Sequence, residues 1–308
     1  MFKNLHELIA TMPDDATCRK YLADCRWQDG KAICPYCGYG KCYNIEGGKR
    51  YKCGSSACYK KFSVTVGTIF EASNIPLNKW FMACYLVTAH KKGISSYQLA
   101  KDIGVSQKAS WFMIHRLREM MRDKEPVELN NICEVDETYI GGKMKNKHKS
   151  IRNKAHVENR SHTENKTGVM GLLERENKVV FKVIDSSKET LKGMVRKHIN
   201  KKATVITDSL ISYKGLDKEY TAHEVVNHLQ EEFVRGQFHT NSVEGAFGLL
   251  KRGIIGIYHQ VSIKHLERYC DEFAFRYNSR KIKDADRFKM SLGLIEGRLD
   301  YKTLTGKK

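Results

Sequence analysis

The chain has 308 residues, with 54 lysines and arginines against 35 aspartates and glutamates, which gives a formal net charge of +19. This excess predicts a large polyanionic partner, and nucleic acid is favoured over membrane phosphates because no basic amphipathic helix or lipidation motif is present. Hydrophobic residues make up 41%, enough for two or three domains with cores, and the lack of a long apolar run or signal-peptide core predicts a cytoplasmic protein.

Cysteines are concentrated near the start of the chain. Cys34 and Cys37 are separated by two residues, and fifteen residues further on come Cys53 and Cys58, separated by four. Two thiolate pairs joined by a short hairpin are typical of a zinc ribbon with one structural Zn²⁺. Free thiols are the alternative, and Cys42 is a spare candidate ligand. The segment has too few apolar residues to fold without a metal, so we predict Cys34, Cys37, Cys53 and Cys58 as the ligands.

A strongly helical region follows, and within it the sequence has the layout of a helix-turn-helix, SSYQLAKDIGVSQKASWFMIHRLREMM. Ser95 or Ser96 can cap the first helix, and Gly104 supplies the turn. The second helix begins with Gln107, Lys108 and Ser110 near its N-terminal end, where a recognition helix contacts DNA. An ordinary helical hairpin is the alternative.

After a linker the pattern changes to strands with intervening helices, a mixed α/β order compatible with an RNase H-like sheet. Residues 143–166 interrupt the strands with a basic insertion that has almost no apolar side chains. A solvated loop is the simplest interpretation of its conformation. Its lysines and arginines, among them Lys145, Lys147, Lys149 and Arg152, are predicted to hold DNA phosphates.

The stretch HTNSVEGAFGLLKRG, residues 239–253, has the apolar spacing of an amphipathic helix that Thr240 or Ser242 can cap. Asn241, Glu244 and Lys251 fall close together on the helical wheel. They form either a face exposed to water or part of an active site.

Two aspartates decide between these interpretations. Asp136 lies in a predicted strand, Asp208 ends another, and Glu244 follows Asp208 after 35 residues. Acids at strand ends of an α/β sheet lie where ligands bind. Three converging carboxylates repel one another unless hard divalent cations join them, so the sequence predicts two Mg²⁺ (or Mn²⁺) ions suited to phosphodiester chemistry. Glu137 is expected to point to the opposite face of its strand.

VDETYIGGK, TDSLISYKGL and the segment from HTNSVEGAFGLLKRG to FRYNSR resemble the DDE transposases of bacterial insertion sequences, in the zinc-ribbon group called ISXO-two-like. The resemblance implies that Asp136 and Asp208 are the first two catalytic acids. Glu244 matches the third, and Lys251, seven residues later, matches the basic residue of that signature. Some relatives have asparagine at the third place, so Asn241 is the alternative metal ligand.

This resemblance and the sequence pattern together predict four segments. They are a zinc-ribbon segment (1–70), a helix-turn-helix domain (71–125), an RNase H-like catalytic domain (126–285) and a C-terminal tail (286–308). The implied function is binding of an element's terminal inverted repeats, with cleavage and strand transfer of double-stranded DNA. A dimer or higher oligomer and association with the nucleoid follow by analogy. An RNase H-like nuclease or resolvase, or a non-catalytic DNA-binding descendant of a transposase, are the alternatives.

Overall fold

The computed structural model describes residues 2–27, 30–142, 148–150, 166–184, 190–226 and 236–306. The chain divides into two compact units. The first combines Met1–Met121 with Ser279–Lys308, and the second is Arg122–Asn278.

The first unit begins with two helices and a small antiparallel sheet. The helices are α1 (Leu5–Thr11) and α2 (Asp15–Arg26), and the sheet has the order β1 (Cys42–Ile45), β2 (Arg50–Cys53), β3 (Lys61–Phe62). Trp27, which follows α2, packs edge-on against Tyr51 of β2 at 4.8 Å between ring centroids. This aromatic contact gives the small sheet an apolar support that its own short strands lack.

Three helices, α3 (Leu77–Ala89), α4 (Ser96–Ile103) and α5 (Gln107–Met121), follow the ribbon. The Ser95 hydroxyl accepts a hydrogen bond from the Gln98 backbone N–H at 3.1 Å, and Ser106 accepts one from Ala109 at 3.2 Å. Gly104 ends α4 in the left-handed conformation, with φ 62°, which glycine adopts without strain. The predicted helix-turn-helix is therefore confirmed, and its first helix begins and ends with the serine cap and the glycine expected of its sequence.

The second unit has a mixed sheet with helices on both faces. Its elements are β4 (Ile132–Ile140), β5 (Thr167–Glu174), β6 (Val179–Val183), α6 (Leu191–His198), β7 (Thr204–Asp208), β8 (Ala222–Val226), α7 (Asn241–Gly253) and α8 (Ile263–Asn278). The described strands are ordered β6-β5-β4-β7-β8. Neighbours from β6 to β4 are antiparallel, whereas β4, β7 and β8 run parallel. This order and these directions define the predicted RNase H-like fold.

Each face of this sheet has its own core. Met194 and Val195 of α6 pack with one set of buried strand residues that includes Val135 and Val205. On the other face, Val243 and Phe247 of α7 and Phe273 of α8 pack with the alternate strand residues, such as Val169. Because side chains alternate along a strand, one sheet supplies both cores.

Residues after α8 return to the first unit as α9 (Asp284–Leu292) and α10 (Tyr301–Thr305). Phe288 of α9 is fully buried, with its ring 5.3 Å from that of Phe2 and 5.6 Å from that of Phe81. Residues 286–306 thus contribute packed helices to the first unit, although the sequence led us to expect a tail. Within the described residues, no helix combines the length and apolar character that crossing a membrane requires.

Candidate active site and zinc site

The four predicted zinc ligands come together in the first unit. The Sγ atoms of Cys34 and Cys58 are 3.8 Å apart, those of Cys37 and Cys53 are 3.6 Å apart, and all four lie within 4.8 Å of one another. A tetrahedral zinc ion with Zn–S bonds of about 2.3 Å requires sulfur–sulfur distances of about 3.8 Å. The cysteine cluster therefore fits Zn²⁺, and four protein ligands make such a site structural.

Local backbone hydrogen bonds hold these thiols in place. The Gly38 N–H donates to the Cys34 carbonyl at 2.9 Å, which folds the first pair into a tight turn. The Ser55 N–H approaches Cys53 Sγ at 3.4 Å, an arrangement that stabilises a thiolate. Cys42 lies outside the cluster, and its thiol donates to the Tyr39 carbonyl at 3.5 Å.

Asp136 and Asp208 lie side by side in the second unit. Glu134 of β4 pairs with Ile206 of β7 in parallel register, and two further residues along each strand bring the chain to these aspartates. Carboxylate oxygens of Asp136, Glu137 and Asp208 all lie within 4.8 Å of one another. Backbone amides orient two of the side chains, since Asp136 accepts from the Glu137 N–H at 2.7 Å and Asp208 from the Leu210 N–H at 3.1 Å.

Glu137 joins this cluster, contrary to the sequence expectation. Strand alternation fixes only the direction of the Cα–Cβ bond, and two further rotatable bonds bring its carboxylate towards Asp136 and Asp208. Burial, together with the negative charges of Asp208 and Asp136, raises the pKa of Glu137 to about 8. Its Oε1 atom is buried and has no hydrogen-bond partner within the described part of the chain.

Three close carboxylates, one of them with an unpartnered buried oxygen, match the oxygen-rich donor set that Mg²⁺ or Mn²⁺ prefers. These residues therefore fit a hard divalent cation. The ordinary alternative, a set of solvated surface acids, does not account for the burial of Glu137.

Helix α7 carries the other predicted active-site residues. Asn241 and Glu244 are exposed in its first turn and Lys251 is half-buried two turns later. The Glu244 carboxylate accepts a hydrogen bond from the Thr240 hydroxyl at 3.1 Å. Among the residues that the structure describes, Glu244 is not a member of the close carboxylate cluster.

A strand residue, Glu134, caps the start of α7, whereas the sequence offered Thr240 or Ser242 for that role. Thr240 makes no side-chain capping bond. The Glu134 carboxylate instead accepts from the backbone N–H groups of Ser242 and Val243, at 2.8 and 3.0 Å. Sequence reasoning missed this residue, although an acid inside the apolar run NICEV was a signal that could have identified it.

The residues predicted to contact DNA have different environments. Lys108 is exposed and its ammonium lies 5.3 Å from the centre of the Tyr301 ring, while Gln107 is half-buried and donates to the Ser96 hydroxyl at 2.9 Å. Ser110 is fully buried. Its hydroxyl is therefore not available to DNA, contrary to the prediction from the sequence. It lies on the same helical stripe as the buried Met113 and Ile114, three and four residues later.

The basic insertion is described only in part. Lys149 is exposed, whereas Lys145, Lys147 and Arg152 lie outside the described residues.

The fold, the cysteine cluster and the carboxylate cluster together define a class of protein. It is a zinc-ribbon protein with a helix-turn-helix and an RNase H-like domain that carries a cluster of carboxylates. Residues 128–278 match the family model described as the ISXO2-like transposase domain, and residues 13–61 match the transposase zinc-ribbon domain. These two matches identify the second unit as an ISXO2-like transposase domain and the cysteine-rich N-terminal segment as a transposase zinc ribbon.

Similar known proteins include a relative and a solved structure. An uncharacterized protein in transposable element ISH50 of Halobacterium salinarum is 27% identical over 281 residues, covering 87% of this chain and 92% of the relative. The crystal structure of the Mos1 strand transfer complex contains a chain that is 13% identical, with a TM-score of 0.26, covering 71% of this chain and 79% of that one.

Proposed function

We propose that this protein is an insertion-sequence transposase that binds the terminal inverted repeats of its element. It then cleaves the ends and joins their 3′-hydroxyls to target DNA in a metal-dependent reaction. The observation that carries the proposal is the pairing of Asp136 and Asp208 on neighbouring parallel strands of an RNase H-like sheet. The relative from a transposable element supports it.

In this proposal Asp136 and Asp208 would hold two Mg²⁺ or Mn²⁺ ions. When bound, such ions supply activation of the attacking oxygen and charge stabilisation of the leaving oxygen. The two aspartates would place these ions at the edge of the sheet, and Lys251 contributes a positive charge for the neighbouring DNA phosphate.

Glu244 is our proposed third ligand, because a carboxylate neutralises a cation and can bind it through two oxygens. Asn241, one helical turn earlier, offers only a neutral amide oxygen and is the alternative. Glu137 adds a further candidate, since its carboxylate already lies with those of the two aspartates.

DNA recognition is assigned to the first unit and to the basic insertion. Gln107 and Lys108 lie at the start of α5, the position of base-contacting residues in a helix-turn-helix. Lys145, Lys147, Lys149 and Arg152 are proposed to contact phosphates. The two ends of the element have to be brought together for strand transfer, so we propose a dimer or higher oligomer on DNA.

A strand-transfer assay with labelled element ends tests the proposal. We expect cleavage and joining by the full chain with Mg²⁺ or Mn²⁺, loss of both with Asp136→Asn or Asp208→Asn, and unchanged DNA binding. Asp217→Asn, which changes an exposed aspartate of the same unit, is the matched control. Cleavage without joining would instead indicate a nuclease or resolvase, and binding without cleavage a non-catalytic descendant.

A further inference from the structure

Glu134 is a fully buried carboxylate on β4, two residues before Asp136. Besides the backbone N–H groups of Ser242 and Val243, it accepts a hydrogen bond from the Ser242 hydroxyl at 3.0 Å and one from Arg175 Nε at 2.6 Å. The Nδ1 atom of His239 lies 3.4 Å away. One side chain thus connects the central strand of the sheet to the first turn of α7.

Arg175 extends this connection to the segment that leads into the helix. It directly follows β5, and its two terminal nitrogens donate to the carbonyls of Gln237 and His239, at 2.7 and 3.1 Å. The guanidinium therefore fixes both the Glu134 carboxylate and the backbone that precedes α7.

The first N–H groups of a helix have no partner within the helix, and they attract negative charge. A carboxylate from a remote strand satisfies them here, in charge-assisted bonds of a kind that is shorter and stronger than neutral ones. Because Glu134 and Asp136 lie on the same face of β4 by alternation, this anchor attaches the start of α7 to the strand face that carries Asp136.

We propose that Glu134, held by Arg175, is a positioning residue that fixes the first turn of α7, with Asn241 and Glu244, relative to Asp136. Its importance for catalysis rests on the proposed function, whereas its effect on the helix does not. Glu134 and Arg175 do not touch the reacting atoms in this assignment. They act through the placement of the helix.

Two substitutions test separately the negative charge of Glu134 and the geometry of the Arg175 guanidinium. Glu134→Gln has nearly the same shape, but its amide NH₂ group is a donor that faces the donors of Ser242, Val243 or Arg175. Arg175→Lys keeps the charge but loses the forked geometry that reaches three acceptors at once. The pair Glu219→Gln and Arg196→Lys is a matched control, because these residues form an exposed ion pair of the same type in the same unit, at 2.7 Å.

The first measurement is amide exchange of the full chain over residues 239–250, followed by mass spectrometry. We expect faster exchange at the start of α7 in Glu134→Gln and Arg175→Lys, and wild-type exchange in both control variants. This readout does not require activity, so it decides the positioning role even if the wild-type chain proves unable to cleave DNA, a result that would count against the proposed function alone.

The second measurement is the single-turnover rate of end cleavage at saturating DNA, titrated with Mn²⁺. Misplacing a catalytic group by about 1 Å costs on the order of 10²-fold in rate. We expect a loss of that size, with a higher Mn²⁺ requirement and unchanged DNA affinity. If Glu134→Gln fails to fold, Arg175→Lys and Glu134→Asp carry the test. Folded variants with wild-type exchange, rate and Mn²⁺ dependence would overturn the inference.

Discussion

Gly171 lies opposite Asp136 in the antiparallel register of β4 and β5. A Cβ atom at this glycine would lie 2.7 Å from Phe247 Cζ and 2.8 Å from Val243 Cγ2. The missing side chain therefore lets α7 pack directly on the strand that neighbours the aspartate.

Gly171→Ala should consequently destabilise the second unit. Forcing a methyl group into a packed core costs about 1–3 kcal/mol, so we expect a lower midpoint of thermal unfolding. Gly245→Ala on α7 is the control, because a Cβ there meets nothing within 4 Å and alanine favours a helix by about 0.5–1 kcal/mol over glycine. Equal stability of Gly171→Ala and wild type would contradict the close packing.

We expect one tightly bound Zn²⁺ per chain, detected by metal analysis of the purified protein. Its removal by a chelator should increase amide exchange in residues 34–62 and leave the second unit unchanged, because the ribbon has little core of its own. Cys34→Ser should lose the metal, whereas Cys42→Ser should retain it. Zinc-free protein with a protected ribbon would refute this assignment.

Glu244→Gln should abolish cleavage and strand transfer while DNA binding is retained, because the amide removes a negative charge and one of two metal-binding oxygens. Asn241→Ala should only reduce the rate. An active Glu244→Gln together with an inactive Asn241→Ala would exchange the two roles. Glu137→Gln belongs in the same series, and loss of Mn²⁺ binding in that variant, measured calorimetrically, would make Glu137 a ligand.

Neutral replacements of the lysines and arginines in 143–166 should weaken binding to any DNA sequence and flatten its salt dependence. The slope of log K against log salt changes by about 0.9 for each DNA phosphate that the protein no longer neutralises. Substitution of Gln107 or Lys108 should instead change which sequence is preferred. The measurement is binding to specific and random duplexes over a salt series. An unchanged slope would mean that the insertion makes no contacts with DNA phosphates.

Asp271 of α8 should make stability depend on pH. Burial, assisted by the negative charges of Glu267 and Asp123 and opposed by Lys182, raises its pKa to about 7 from an unperturbed 3.8. Between these two values the folded state binds the proton more tightly, so stability falls as pH rises, by at most about 1.4 kcal/mol for each pH unit. Asp271→Asn should therefore be more stable than wild type near pH 8, and the difference in stability should be small near pH 4. A thermal-midpoint difference that is equal at both pH values would contradict this.

Much of the fold follows from local sequence signals. The caps at Ser95 and Ser106 and the glycine at position 104 all act within a few residues, so the helix-turn-helix could be predicted. Strands β4 to β7 coincide with apolar runs, which is why the sequence pattern changes to strands there. β8 was missed, because its sequence AHEVV is half polar and most of its residues are only half-buried at the edge of the sheet.

The site depends more on contacts between distant residues. The spacing of the cysteines identifies the four thiols that meet, but the Glu134 cap joins positions more than 100 residues apart. The burial of Ser110 and the approach of Glu137 likewise depend on packing and on side-chain torsions, neither of which the linear pattern specifies.

The first unit is assembled from two stretches of chain that flank the entire second unit. During synthesis, Phe288 leaves the ribosome after the second unit. The core contacts of Phe2 and Phe81 with Phe288 therefore form only after the second unit has been translated. The hydrogen bond from the Ile69 N–H to the Ile295 carbonyl, at 2.9 Å, likewise forms only after the second unit has been translated. Domains generally fold as units while the chain emerges, and here the part translated first is the part that is completed last.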